Sequence, residues 1–225
     1  MIPLHVAVIP DGNRRWAKAH NLPSFEGHRR GYERANEIIH TGHSLGISIM
    51  TLWAFSTENW KRAQEEVSYL MKLFEIMIEK NIQEAHEKQT RIIHLGRKDR
   101  LADSLLKKIL KAESETAQFK KQYLCVGIDY GGEDEIIRAI QKASSQPGDW
   151  TAHKLFSTLD TAVLPQQQVD LVIRTSGETR TSGFMPLQTA YSEYHFSDSL
   201  FPDFSSAEFT KIIENYSLRK RRFGK

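Results

Sequence analysis

Leu4-His5-Val6-Ala7-Val8-Ile9-Pro10-Asp11-Gly12-Asn13-Arg14-Arg15-Trp16 is the stretch that decides how this chain is read. An apolar, β-branched run ends at a proline, and an acid, a glycine, an amide and two guanidinium groups stand directly behind it. A buried strand that opens into such a cluster suits diphosphates and Mg²⁺. Planar guanidinium groups grip phosphate oxygens bidentately, glycine lets backbone N–H groups approach, and a carboxylate holds a hard cation that bridges to phosphate. A second run, Val169 to Arg174, passes in the same way into Thr175-Ser176-Gly177-Glu178-Thr179-Arg180-Thr181-Ser182. Neither segment has G-x-x-x-x-G-K-[ST] or G-x-G-x-x-G spacing, so nucleotide P-loops and dinucleotide folds are not indicated.

Working outward, Ile47 to Phe55, Arg91 to Leu95 and Tyr123 to Ile128 repeat the apolar strand pattern. Between them lie helical stretches. One runs from about Arg29 to Leu45 and ends at Gly46. Another, Glu65 to Lys88, places Val67, Leu70, Met71, Phe74, Ile78, Ile82 and Ala85 at three- and four-residue intervals. The alternation predicts an α/β fold: one domain over residues 1–225, with a mainly parallel central sheet of about six strands and helices on both sides. In such sheets ligands bind beyond the carboxyl ends of the strands, where both opening segments lie. Ser144 to Gln168 reads as surface loops around one short helix, not as a domain boundary.

Composition narrows the function. Among 225 residues, 40% are hydrophobic and 26% charged, which is ordinary for a globular chain. The 31 basic and 28 acidic residues leave a net charge of +3, so phosphate affinity comes from local clusters and not from a global field. No basic stripe with interleaved aromatics marks a nucleic-acid binder. The single cysteine, Cys125, lies in an apolar run, which excludes an intrachain disulfide and offers no C-x-x-C motif. The longest apolar stretch is about half of the ~20 residues a membrane span needs, and no leader is read at the N-terminus. A reducing cytoplasm is the expected compartment.

The two loop segments, in this order, resemble those of the cis-prenyltransferases, the family of undecaprenyl diphosphate synthase. Further matching stretches are Gly27-His28, Ala54 to Arg62, Tyr130-Gly131-Gly132, Gln188, Tyr191, Glu193, Phe196, Phe201-Pro202-Asp203-Phe204 and Arg221-Arg222-Phe223-Gly224. The resemblance implies condensation of isopentenyl diphosphate onto an allylic prenyl diphosphate, with loss of pyrophosphate, by a Mg²⁺-dependent homodimer. A lipid product implies peripheral contact at the inner membrane face.

The resemblance assigns roles residue by residue. Asp11 is expected at the metal or in proton handling, with Asn59 beside it as a catalytic residue. Gly12, Asn13, Arg14, Arg15 and Trp16, with His28, are expected on the allylic diphosphate. Arg174, Arg180 and Ser182 match the isopentenyl diphosphate site. Ser56, Glu58, Trp60 and Arg62 match a loop that closes over substrate, and Arg222 and Gly224 a C-terminal signature that reaches the diphosphates across the dimer. Glu193 matches a second metal position, supplied by the neighbouring subunit.

Blander readings stand beside these. Asp11 also reads as an N-cap, Arg174 and Arg180 as surface charges around a glycine turn, His28 as a solvated histidine and Trp60 as a half-buried anchor. The apolar excess on the Glu65–Lys88 helix fits a hydrocarbon tunnel or ordinary core. His40 and His43 are spaced as a helical metal pair, but no third ligand is visible. The sequence also departs from the family: Ser24 replaces an arginine, Asp129 an asparagine, Glu133 an arginine, Leu187 a tryptophan, Ala63 a proline and Arg97 an aspartate. The alternative function is a non-catalytic prenyltransferase-like subunit that needs a different partner chain.

Overall fold

A computed structural model describes residues 1–219. The strands are β1 (His5–Ile9), β2 (Ile49–Ser56), β3 (Thr90–Leu95), β4 (Gln122–Tyr130), β5 (Leu171–Arg174) and β6 (Glu193–Phe196). They form one six-stranded sheet in the order β3-β4-β2-β1-β5-β6, and every pairing is parallel. The helices are α1 (Asn13–Ala19), α2 (Ser24–Ser44), α3 (Gln64–Lys88), α4 (Asp103–Thr116), α5 (Gly132–Ser144), α6 (Ala152–Phe156) and α7 (Ser206–Leu218). The expected α/β architecture is therefore the observed one.

β1 shows why the sheet is covered on both sides. Val6 and Val8 join one core with Ile38, Met50, Leu52 and Phe209, while Ala7 and Ile9 join the other with Ile49, Tyr130 and Phe184. A central parallel strand buried on both faces reads as a continuous apolar run, which is how Val6 to Ile9 reads. A third cluster, built on Phe55, Phe74, Leu105 and Ile128, seats α3 and α4.

Two differences from the sequence reading have physical causes. β6 is only four residues long and alternates half-buried with exposed positions, so it leaves no apolar run to detect. α2 starts at Ser24, behind Pro23, and not near Arg29. Gly27 and Gly31 lie inside it because α1 presses against them: a Cβ at Gly27 would stand 2.0 Å from the Asn13 carbonyl oxygen, and one at Gly31 2.4 Å from Asn13 Oδ1. These glycines let the start of α1 approach α2.

Two buried histidines and a half-buried one give the fold an acid limit. Desolvation is the largest influence on His5, His43 and His94 and lowers each from 6.5 to about 4. A depressed folded-state pKa stabilises above the unfolded value, and that contribution is lost as pH falls. Stability should therefore decline between pH 6.5 and about 4, by on the order of 1–3 kcal/mol for each histidine. Chemical denaturation as a function of pH checks this. His94→Asn should flatten the slope in that window, and an unchanged slope would exclude His94 as a contributor.

Candidate active site

Carboxyl ends of β1, β2, β4 and β5 meet at one edge of the sheet, and the site is built there. Gly12 stands at the start of α1 with φ 107°, and a Cβ would lie 2.9 Å from Leu200 Cδ2 and 3.0 Å from Ser176 Cβ, so both conformation and space require glycine. Asp11 is stitched to β5's exit: its N–H donates to Thr175 Oγ1 at 2.9 Å, and Thr175 Oγ1 donates to its carbonyl at 2.7 Å. α1 has only seven residues. An anion at this point would meet guanidinium groups more than a helix terminus.

Arg174 is the hub. It is 5% exposed. One Nη donates to Asp11 Oδ2 at 2.8 Å, and the other donates to the Arg180 carbonyl at 2.6 Å and to Ser182 Oγ at 2.9 Å. Its buried Nε has no partner among the described protein atoms. Arg15 donates to the Ser176 carbonyl at 3.1 Å and to Ser176 Oγ at 2.5 Å. Burial pushes the Asp11 carboxyl up, but the Arg174 hydrogen bond and the Arg174 and Arg15 charges outweigh it and hold its pKa below the ordinary value. Asp11 is thus an ionised carboxylate at neutral pH. The loop carrying Ser182 is bent through positive φ at Ser176, Ser182 and Met185, none of them glycine, and such strain gathers where function over-determines the backbone.

A second knot lies opposite. Glu66 on α3 sits 3.1 Å from His28 Nε2, 2.9 Å from Arg62 and 3.9 Å from Arg14. Desolvation is the largest influence on His28 and, despite Glu66, leaves its pKa below the ordinary histidine value. At 8% exposed, His28 is not the solvated histidine of the blander reading. Glu66 escaped the sequence reading, although its i,i+4 spacing from Arg62 was a usable signal.

Two hollows meet at these knots. A cleft of about 740 Å³ is lined by Asp11, Gly12, Asn13, Arg14, Arg15, His28 and Arg62, with Lys18 and Ser24. A tunnel of about 570 Å³ shares Asp11, Asn13, His28 and Arg62, takes in Ser56, Glu58, Asn59, Arg174 and Ser182, and runs between α2, α3 and the sheet. Leu70, Leu73, Phe74 and Met77 line it, and Leu70, Phe74 and Met77 also belong, with Met71 and Ile78, to the core that seats α3. The apolar excess on α3 is thus shared between tunnel and core. Asn36 and Asn81 line both the tunnel and a small cavity where Glu84 meets His40 and Lys88. Among the described residues no group of three His, Cys, Asp or Glu side chains could hold a metal ion, so His40 and His43 stay structural.

Four expected site residues are not brought to these hollows. Trp16 is buried, with Nε1 donating to Asp203 at 2.8 Å. Trp60 packs edge-on against Phe55 within the α3–α4 core. The Arg180 side chain pairs with Glu178, and only its carbonyl serves Arg174. Glu193 is opposite Leu171 and pairs with Arg219 at 2.7 Å; it lies at the amino end of its strand, away from Asp11. Arg222 and Gly224 lie outside the described residues.

Residues 9–224 match the prenyltransferase model of the undecaprenyl diphosphate synthase family. The chain belongs to that family. It is 44% identical to the isoprenyl transferase of Aquifex aeolicus over 225 residues, covering 100% of this chain and 96% of the relative. It is 42% identical to the isoprenyl transferase of Thermotoga maritima, covering 99% and 97%. The fold matches the crystal structure of lavandulyl diphosphate synthase from Lavandula x intermedia in complex with dimethylallyl diphosphate, with a TM-score of 0.94, 32% identity, and coverage of 100% and 99%. A cis-prenyltransferase of this family is an enzyme of prenyl chain condensation, and a charged cleft opening on an apolar tunnel is the arrangement that such a substrate requires: a diphosphate head and a hydrocarbon tail.

Proposed function

We propose that the enzyme binds an allylic diphosphate with its head in the Asp11–Arg15 cleft and its tail in the tunnel, and isopentenyl diphosphate against Arg174, Ser182 and the 176–182 loop. The observation that carries this is the shared wall: Asp11 and Arg174 touch each other at the point where cleft and tunnel join. Arg14, Arg15, Arg62 and His28 supply donors to the leaving pyrophosphate, whose charge grows as the C–O bond breaks. Asn59, in the tunnel lining, would stand beside the reacting carbons of a substrate bound in this way. Lys18 beside Ser24 offers a cation where the missing arginine would have stood.

Mg²⁺ fits this donor set. The cation is normally held by one or two carboxylates together with substrate phosphates, and Asp11, ionised and half-buried, is such a carboxylate. When bound, it would screen the repulsion between two diphosphates and stabilise the departing one. Within one chain Glu193 faces away, which leaves a second copy as its route to a metal. β6 supports that dimer: at the free edge of the sheet it exposes Tyr194 and Phe196, with rings stacked 6.2 Å apart. Among the described residues no helix is long and apolar enough to cross a membrane.

Labelled isopentenyl diphosphate, offered with allylic primers of three lengths in magnesium and again with a chelator, tests the reading. Elongated products should appear only with metal. Product length should stop where the chain meets the amides of Asn36 and Asn81. Absence of incorporation from every primer would overturn the substrate assignment.

A further inference from the structure

We infer that Asp129 is a positioning residue that clasps the turn carrying Asn59 and Arg62, an inference that rests on the site reading given above for those two. Ser56 leads β2 into a 3₁₀ turn, Thr57–Lys61, in which Asn59 folds back to accept from the Ser56 N–H at 3.1 Å. Asn59 and Arg62 face the tunnel, and Trp60 between them faces the other way. Trp60 Nε1 donates to Asp129 Oδ1 at 2.8 Å. Arg100 Nε donates to Asp129 Oδ2 at 2.8 Å, its Nη2 reaches Oδ1, and its guanidinium stands 6.0 Å from the Trp60 ring centroid. One fully buried carboxylate thus joins β4, the turn and the segment before α4.

Chemistry explains why an acid stands where the family resemblance expects asparagine. The three donors occupy both oxygens. An amide would set its own NH₂ either against Arg100 Nε or against both Trp60 Nε1 and Arg100 Nη2, a donor-against-donor contact at a fully buried position in either orientation. Asp129 also holds φ 54°, a left-handed conformation that aspartate tolerates better than most residues, and Gly96 packs on its carbonyl, where a Cβ would come within 2.6 Å. Backbone and side chain are both committed to this geometry. Trp60, expected on substrate, acts instead as the handle by which the turn is held.

The test is Asp129→Asn in the full chain. The expected result is about tenfold faster hydrogen exchange in residues 57–62, with α5 and α7 unchanged. Turnover should fall about tenfold and KM for the allylic diphosphate should rise, while KM for isopentenyl diphosphate, bound on the Arg174 side, stays within about twofold. Combining it with Trp60→Phe, which keeps the ring and removes the donor, should add nothing to the loss. If Asp129→Asn fails to fold, Arg100→Gln reads the same clasp from its half-exposed end. Unchanged exchange at 57–62, or exchange raised evenly along the chain, would overturn the clasp. Exchange does not depend on turnover, so a wild-type chain inactive with these substrates would count against the site reading and leave the clasp decided by exchange alone.

Discussion

Asp11→Asn is expected to lower kcat/KM by ~10³-fold or more, which corresponds to roughly 4 kcal/mol of transition-state stabilisation. The amide keeps the size of the side chain and one acceptor oxygen for Arg174, which approaches Asp11 Oδ2 at 2.8 Å. What it removes is the negative charge that would hold a cation between two diphosphates. Asp11→Ala is the less informative variant. Its partner Arg174 is buried, and deleting the carboxylate strands that guanidinium at a cost of about 1–3 kcal/mol. The asparagine variant should melt within a few degrees of wild type while losing turnover. Steady-state kinetics across a magnesium series check the role: wild type should saturate with metal, and Asp11→Asn should not be rescued by excess metal. Turnover within about tenfold of wild type would remove Asp11 from the catalytic set.

How far the sequence could be read follows from what leaves a periodic trace. β1 and β5 announce themselves because both faces are buried, so Val6 to Ile9 and Leu171 to Ile173 are unbroken apolar runs. Each ends in the polar cluster that follows it, so the meeting of Asp11, Asn13, Arg15 and Arg174 at one end of the sheet was legible together with the fold. β6 was not legible, since four alternating residues carry no run. Trp16 and Trp60 lie outside the hollows for another reason. An indole beside a functional residue in the chain can point the opposite way, and a 3₁₀ turn that aims Asn59 at the tunnel sends Trp60 into the core. Glu66 was missed because a carboxylate among arginines on a helix reads as a solvated ion pair; only three-dimensional closure of α2 on α3 brings His28 to it. The departures at Ser24 and Asp129 were visible from the resemblance, and their consequences needed the cleft and the clasp.

Arg174→Lys is the second large effect, because it keeps the charge and changes only geometry. Arg174 makes three hydrogen bonds in two directions, to Asp11 on one side and to the Arg180 carbonyl and Ser182 Oγ on the other. A single ammonium on a flexible stem cannot reach both sides at once. If it stays with Asp11, the 176–185 loop loses its tie, and positive φ at Ser176, Ser182 and Met185 is backbone that relaxes when released. If it follows the loop, Asp11 loses the donor that keeps its pKa low. Either way the planar fork that serves both sides is gone. The expected outcome is a ~10²–10³-fold fall in kcat/KM, carried chiefly by a raised KM for isopentenyl diphosphate, with KM for the allylic primer much less affected. A purely structural arginine would give a different pattern: a lower melting temperature, with both Michaelis constants unchanged in the fraction that folds. That pattern would return Arg174 to the role of a tie between β5 and its loop, and would leave isopentenyl diphosphate recognition to Ser182 and Arg180.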